Sequence, residues 1–355
     1  MARAGRPLGV AGAALLGAAA LAASCGGCAP NEAAEVHPVW PLPPAPPRVV
    51  HRKNLRGPDD VAKPGLLEGL GRLITGEPKV SLLRPHGVAV EGEKYLYVTD
   101  QELQAVMVFD LKSGRSTPID RAGETYFVSP VGVAACGEVL AASDSALNAV
   151  FLLSPQGTLQ RTLAKPGGFQ RPTGLAYDAA RGLLYVVDTL ANEVCVFQPG
   201  SGKLVRRFGA HGTGPGEFNY PTHVFVDRAG RIFVTDSLNF RVQAFDPEGR
   251  FLFHIGKLGD ASGHLAVPKG VGVDSFGHVY IVDSYFSTVQ VFDQEGNFLL
   301  ALGGPGEESG RFQVPAGLFV DADNRIYVCD SFNRRVQLLQ YVGGPTDVEN
   351  PPETP

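Results

Sequence analysis

One unit of this chain, residues 221–256, reads PTHVFVDRAGRIFVTDSLNFRVQAFDPEGRFLFHIG. Four short, largely apolar segments follow one another in it, at residues 222–227, 231–236, 241–246 and 250–256. The turn Pro247-Glu-Gly249 joins the last two segments, and its glycine supplies the positive φ angle that a tight hairpin needs. The unit is therefore predicted to be a four-stranded antiparallel sheet.

The same unit occurs six times along the chain. Each copy opens with a proline and a short apolar strand, at Pro85, Pro130, Pro172, Pro221, Pro268 and Pro315. Each second strand ends in an aspartate, at Asp100, Asp144, Asp188, Asp236, Asp283 and Asp330. Successive aspartates are 44 to 48 residues apart, and a strand-rich repeat of this length indicates a propeller. The sequence predicts an all-β fold: a six-bladed β-propeller of four-stranded antiparallel blades.

The two ends of the repeat region differ, and this difference predicts how the ring closes. Copies one to five each carry a fourth strand, but the sixth copy stops after residues 336–340. A similar segment, residues 71–76, precedes Pro85. We expect this segment to pair with the third strand of the last blade, so that an N-terminal strand closes the ring and no sheet edge is left open.

The first part of the chain predicts export. Residues 1–24 combine Arg3 and Arg6 with a short apolar run and a group of small residues, which is typical of a signal peptide. The small residues before Cys25 resemble the lipobox of bacterial lipoproteins, and this resemblance implies a diacylglycerol on the Cys25 thiol. Gly26 follows instead of aspartate, so the resemblance implies anchoring in the outer membrane. An ordinary signal peptide with a later cleavage point is the alternative.

Composition divides the rest of the chain into three parts. Residues 25–65 are rich in proline and are predicted to be a lipidated, semi-rigid linker. Residues 66–342 form the predicted propeller, and residues 343–355 form a polar tail that we expect to be disordered. The net charge of −5 is not arranged around a basic stripe, which argues against nucleic acid as a partner.

Motifs in the later copies carry a family resemblance. The fourth copy contains Ile232-Phe-Val-Thr-Asp236-Ser-Leu-Asn239-Phe-Arg241-Val242, and the sixth contains Ile326-Tyr-Val-Cys-Asp330-Ser-Phe-Asn333-Arg-Arg335-Val336. These repeats resemble NHL repeats over roughly residues 66–342, most closely in copies four to six. The resemblance implies a non-catalytic binding or scaffold module for an envelope protein, a peptide or a small ligand. No oligomer and no cofactor are predicted.

Residues that follow the blade-opening prolines and differ between copies are the candidate ligand contacts. They are His86, Thr173, Thr222, His223 and Lys269. Among them, His223 stands where other copies carry glycine. The strand-end aspartates, in contrast, occur in every copy, so we expect them to accept hydrogen bonds from turn amides rather than to bind a ligand.

One alternative function is an enzyme. The motif Pro85-His86-Gly87-Val88 resembles a metal-ligand motif of peptidyl-amidoglycolate lyases, which implies zinc held by three histidines in the channel. His86 and His223 have no evident third histidine partner in the sequence, so no metal ligand and no catalytic residue is predicted. A metal-assisted lyase or a hydrolase acting in the channel stays open as the alternative to a binding module.

Overall fold

Each repeat folds into one antiparallel sheet whose first strand is the innermost. The computed structural model describes residues 37–61 and 80–344. Blade one contains β3 (Pro85–Glu91), β4 (Tyr95–Asp100), β5 (Ala105–Asp110) and β6 (Ser116–Ile119). Blade two contains β9 (Pro130–Cys136), β10 (Val139–Asp144), β11 (Ala149–Leu153) and β12 (Leu159–Thr162). Blade three contains β13 (Pro172–Asp178), β14 (Leu183–Asp188), β15 (Glu193–Gln198) and β16 (Lys203–Phe208).

The remaining blades follow the same order of strands. Blade four contains β17 (Pro221–Val226), β18 (Ile232–Asp236), β19 (Arg241–Phe245) and β20 (Phe251–Ile255). Blade five contains β21 (Pro268–Val273), β22 (Val279–Asp283), β23 (Thr288–Phe292) and β24 (Phe298–Gly303). Blade six contains β25 (Pro315–Val320), β26 (Arg325–Asp330) and β27 (Arg335–Tyr341). Smaller elements are β1 (Val39–Trp40), β2 (Val49–Leu55), the helix α1 (Pro58–Val61), the hairpin β7–β8 (Arg121–Ala122, Thr125–Tyr126) and the 3₁₀ turns Ser237–Asn239 and Ser331–Asn333.

The innermost strands form a closed ring. Each of β3, β9, β13, β17 and β21 contacts the innermost strand of the next blade, and β25 of blade six contacts β3 of blade one. All strand pairs within the blades are antiparallel, and five of the sheets have four strands. The predicted six-bladed propeller of four-stranded antiparallel blades is therefore confirmed.

An N-terminal strand closes the ring, but a different one from the strand we predicted. β2 pairs with β27, so that Val49 lies opposite Tyr341 and Leu55 opposite Val336. The predicted closing segment, residues 71–76, lies outside the described residues, and the edge assigned to it is occupied by β2. That assignment is wrong, and so is the linker prediction of residues 25–65 where it covers Val49–Leu55. Closeness in sequence to the first proline is a poor guide to which segment closes the ring, because the entropic cost of closing a loop grows only slowly with its length.

A bulge makes β2 equivalent to the fourth strands of the other blades. The register of β2 against β27 shifts between His51 and Lys53, which leaves Arg52 as the extra residue. Blades two to five show the same shift between their third and fourth strands. Because one extra residue reverses the alternation of side chains, Val49 packs in a core cluster with blade-five residues and Leu55 in one with blade-one residues.

The strand-end aspartates have the predicted structural role. Asp100 is fully buried and accepts hydrogen bonds from the backbone amides of Leu83 (2.8 Å) and Arg84 (3.0 Å). In blade six, the buried Asp330 also accepts a hydrogen bond from Arg335 Nε at 2.8 Å. The aspartates of the other blades likewise accept from the backbone before their blade-opening proline: Asp144, Asp188, Asp236 and Asp283. Each carboxylate thus ties the start of the first strand to the end of the second.

Parts of the prediction fall outside the structure. The proposed signal peptide, Cys25 and residues 345–355 of the proposed tail are not among the described residues, and these assignments stay predictions. Within residues 37–61 and 80–344, no helix is both long enough and apolar enough to cross a membrane. Three cysteines of this part, Cys136, Cys195 and Cys329, are free thiols buried inside the blades.

Candidate functional site

Two histidines meet across the axis of the ring at the end where the innermost strands begin, which we call the proline end. His86 belongs to blade one and His223 to blade four, and these blades face each other in a ring of six. Their imidazole rings stack with centroids 5.9 Å apart and planes inclined by 15°. We call these two side chains the imidazole pair; they narrow the channel at this end.

The equivalent positions in other blades show how unusual a side chain is at the position of His223. In blade one the position equivalent to His223 is Gly87, where a Cβ would lie 2.3 Å from the carbonyl oxygen of Val131 in blade two. In blade six it is Gly317, where a Cβ would lie 2.3 Å from the carbonyl oxygen of His86. At these two positions the strands approach so closely that only hydrogen fits. His223 departs from this pattern and places an imidazole in the channel.

The two predicted threonines are turned into the protein. Thr222 Oγ1 lies 3.2 Å from His223 Nδ1 and 2.7 Å from Ser237 Oγ, so it holds the imidazole in position. Thr173 Oγ1 bonds Thr189 Oγ1 at 2.8 Å, and both predicted threonines are buried. The structure thus brings His86, His223 and Lys269 together and gives Thr222 a supporting contact, whereas the Thr173 hydroxyl is engaged within its own blade.

At the proline end, two uncharged imidazole rings lie near positively charged side chains. Burial and the positive charges of Lys269 and Arg84 together lower the pKa of His86 to about 4, although a contact with the backbone of Val131 opposes the shift. Burial, His86 and Lys269 also hold the pKa of His223 well below its ordinary value. The pKa of half-buried Lys269 is lowered by burial and then by Arg171. At neutral pH the imidazole pair is therefore uncharged.

These groups lack counter-ions in the part of the chain that the structure describes. No described carboxylate lies within ion-pair distance of Lys269, Arg84 or Arg171. The Nδ1 atom of His86 is buried and has no hydrogen-bond partner among the described residues. Because buried polar atoms are normally paired, this nitrogen and the neighbouring cations mark a place where a ligand can bind.

An apolar cavity of about 340 Å³ occupies the channel on the far side of the imidazole pair. Of the five predicted site residues, only His223 lines it. Its walls include the apolar side chains of Val90, Ala135, Tyr177, Phe225, Val273 and Phe319. The cavity reaches the surface at the opposite end of the innermost strands, where the exposed Ala180 contributes to its lining. Sequence reasoning missed these wall residues, because in the sequence they look like the core of any buried strand.

Polar groups surround the far end of the cavity and are already paired. Asp178 binds Arg181 at 3.1 Å, and Asp321 binds Arg325 at 2.7 Å. Arg228 of blade four donates a hydrogen bond to the carbonyl of Ala322 in blade six. Because these charges are satisfied within the rim, they leave the apolar walls as the main contact surface for a ligand.

The proline end also carries exposed apolar side chains around the channel. The position two residues after the strand-end aspartate is apolar in blades three to six, at Leu190, Leu238, Tyr285 and Phe332. These four side chains, which we call the apolar crescent, are 49% to 73% exposed. The equivalent residues in blades one and two are Glu102 and Ala146. The guanidinium group of Arg84 lies over the ring of Phe332, 5.4 Å from its centroid.

The imidazole pair does not make a metal centre by itself. No group of three His, Cys, Asp or Glu side chains within residues 37–61 and 80–344 is arranged to hold a metal ion. Catalytic zinc sites use three protein ligands, and the pair supplies two nitrogens at most. The geometry offers ring nitrogens that can form hydrogen bonds, positive charge and apolar walls, all of which can contribute to ligand binding.

Comparison with known proteins supports the architecture. A family model described as a 6-bladed β-propeller matches residues 177–231 and 271–342. NHL repeat-containing protein 3 of Homo sapiens is 31% identical over 134 residues, which cover 35% of this chain and 36% of that protein. The chain therefore matches only about a third of the length of this relative. The protein is a six-bladed β-propeller that is similar to NHL-repeat proteins.

Solved structures share the fold at low sequence identity. An auxiliary nutrient binding protein from Bacteroides thetaiotaomicron superposes with a TM-score of 0.58 at 11% identity, covering 74% of this chain and 70% of that one. Virginiamycin B lyase from Staphylococcus aureus superposes with a TM-score of 0.53 at 13% identity, covering 73% of this chain and 96% of that one. Identities this low show the shared fold and nothing about activity.

Proposed function

We propose that this protein is a binding module that docks an envelope protein or peptide on the proline end of the propeller. The apolar crescent is the observation that carries this proposal. Four large apolar side chains lie exposed on consecutive blades around one channel mouth. Clustered exposed apolar groups mark interaction sites, whereas single ones scattered over a surface do not.

The charges beside the crescent indicate what kind of partner fits. Arg84, Arg171 and Lys269 bring positive charge to this end without a described counter-ion. Arg171 also lies over the ring of Tyr220, 5.7 Å from its centroid. Aromatic and arginine side chains are the residues that most often dominate binding energy at protein interfaces. The expected partner segment is therefore apolar with acidic residues beside its apolar part.

The location of the module is a further part of this proposal. The residues before Cys25 favour export and lipidation, and the lipid anchor would hold the propeller at the outer membrane. The intact mass of the protein from the membrane fraction tests this step. We expect a mature N-terminus at Cys25 carrying a diacylglycerol, and a Cys25→Ser variant that leaves the membrane fraction. An unlipidated N-terminus beyond Cys25 would overturn the anchor but not the binding surface.

Docking is tested by cross-linking in solubilised cell envelope, followed by quantitative mass spectrometry. The test variant is Tyr285→Ser/Phe332→Ser. The matched control is Val205→Ser/Leu252→Ser, which changes two exposed apolar residues on fourth strands. We expect a partner that is enriched equally by the wild type and the control and is lost with the test variant. Equal recovery with all three proteins would refute docking at the crescent.

The enzyme alternative makes a different prediction. A metal-assisted lyase or hydrolase in the channel requires stoichiometric metal in protein purified without an affinity tag. Loss of that metal in a His86→Ala variant would favour the enzyme, because His86 belongs to the imidazole pair. Our proposal expects metal below stoichiometric amounts in both proteins.

A further inference from the structure

We propose that the channel is a second binding site, separate from the crescent, for a small carboxylate with an apolar body. The apolar body occupies the cavity, and the carboxylate binds at the imidazole pair beside Lys269. The cavity and the crescent share no side chain, but the cations Lys269, Arg84 and Arg171 lie beside both, so the two kinds of binding are tested with separate variants.

The cavity suits a small apolar body. Its volume of about 340 Å³ lies at the lower end of the range for small-molecule pockets, roughly 300–1,000 Å³. Val90, Val273 and Phe319 are among its walls, and they offer water no hydrogen bonds through their side chains. Water in such a space is poorly satisfied, so an apolar group that displaces it binds favourably.

The end of the cavity that His223 lines suits an anionic head group. His223 lines the cavity, and its Nε2 atom is left for a ligand because Nδ1 is bonded to Thr222. His86 contributes a buried Nδ1 atom without a partner among the described residues. In the tautomer of His223 whose Nδ1 accepts from the Thr222 hydroxyl, Nε2 carries the ring proton and can donate to a carboxylate oxygen, as can His86 in the tautomer protonated at Nδ1. Hydrogen bonds to a charged acceptor are stronger than those to a neutral one.

The charged side chains near this end favour a ligand whose head group is negatively charged. Lys269, Arg84 and Arg171 are the charged groups that act on the imidazole pair and on one another. All three are cationic, and no described carboxylate pairs with them. A cationic head group would be repelled by these charges, and a neutral head group would leave Lys269 without a counter-charge. A carboxylate both accepts hydrogen bonds and carries the opposite charge, so it is the head group that fits this end.

The test compares three ligands of one length by titration calorimetry: decanoate, decanol and decylamine. We expect the wild type to bind decanoate at least about tenfold more tightly than decanol, because one charge-assisted hydrogen bond is worth about that factor. Decylamine should bind more weakly than decanol. Lys269→Met should remove the advantage of decanoate and leave decanol unchanged. The matched control is Lys257→Met, at an exposed lysine whose charge does not act on the imidazole pair, and it should bind as the wild type does.

A second pair of variants tests the cavity itself. Ala135→Phe fills the lining and should weaken decanoate and decanol together, by about tenfold or more. Should that variant fail to fold, Ala180→Trp at the exposed rim should obstruct entry and weaken both ligands instead. Equal affinity of wild type for decanoate and decanol, or no effect of Lys269→Met on decanoate, would overturn the proposal. Tyr285→Ser/Phe332→Ser should leave decanoate binding intact, so a failure here is distinguishable from a failure of crescent docking.

Discussion

Replacing Leu55 by alanine measures what the closing strand contributes to the whole ring. Leu55 is 5% exposed and packs between blades six and one in a core cluster with Leu82, Val336 and Tyr327. The substitution removes the buried side chain that joins the two ends of the propeller.

The expected magnitude follows from this burial. Removing a fully buried leucine side chain loses about 1.5–3 kcal/mol of transfer free energy. The cavity left behind raises the total to about 2–5 kcal/mol, because the neighbouring strands relax only in part. Leu302 occupies the same position in the fourth strand of blade five, opposite Val289 as Leu55 is opposite Val336, and it is fully buried. Leu302→Ala is therefore a control of the same residue type in a blade built from contiguous chain.

Urea unfolding followed by tryptophan fluorescence and by circular dichroism provides the measurement. We expect Leu55→Ala and Leu302→Ala to lower the free energy of unfolding by similar amounts, with the two probes coinciding. Arg52→Ala, at the exposed bulge residue of the same strand, should change it by less than about 0.5 kcal/mol. A loss below about 1 kcal/mol for Leu55→Ala, beside the full loss for Leu302→Ala, would show that β2 is a frayed end and would refute the closure argument.

Three further predictions concern the interior. Arg335→Met leaves the fully buried carboxylate of Asp330 without its cation, so we expect urea unfolding to show a loss of about 3–5 kcal/mol, and a loss below about 1 kcal/mol would contradict this. His86 is neutral when folded, with a pKa of about 4 against 6.5 ordinarily, so the folded state binds fewer protons between these values. This difference in pKa makes the free energy of unfolding about 3 kcal/mol larger above pH 6.5 than near pH 4, and the gain is lost as the pH falls through this range. His86→Gln should flatten the dependence of the free energy of unfolding on pH. An unchanged pH profile in this variant would argue against a buried neutral ring. Gly317→Ala should lower the melting temperature through a loss of about 1–3 kcal/mol, because its Cβ would meet the carbonyl of His86, whereas Gly200→Ala, with open space around it, should not.

The architecture was largely predictable from the sequence, because each blade is a local structure. The fourth strand of blade four was predicted at residues 250–256 and is observed as Phe251–Ile255. The structural role of Asp100 was also predictable, since its hydrogen-bond partners Leu83 and Arg84 directly precede the proline that opens the same copy. Residues that occur in every copy could be assigned to the structure of the blade, which all copies share. Residues that differ between copies were left as the candidate ligand contacts.

The site was predictable only in part. Departures from the repeat led to His86, His223 and Lys269, which do lie together at the proline end. The same reasoning selected Thr173, whose hydroxyl is engaged by Thr189 inside the blade. It could not reveal the cavity walls, because Phe225 and other residues of the innermost strands have the same apolar character whether they face a neighbouring blade or the open axis.

The sequence by itself determined the number of blades, the order of their strands and the role of the strand-end aspartates. It could do so because these features rest on hairpins and hydrogen bonds between residues of one repeat. Only the tertiary structure decided that Val49–Leu55 completes the last blade, and that His86 and His223 meet above an apolar cavity. Those contacts join segments far apart in the chain, and they exist only because six similar sheets, packed side by side at a fixed angle, close into a ring.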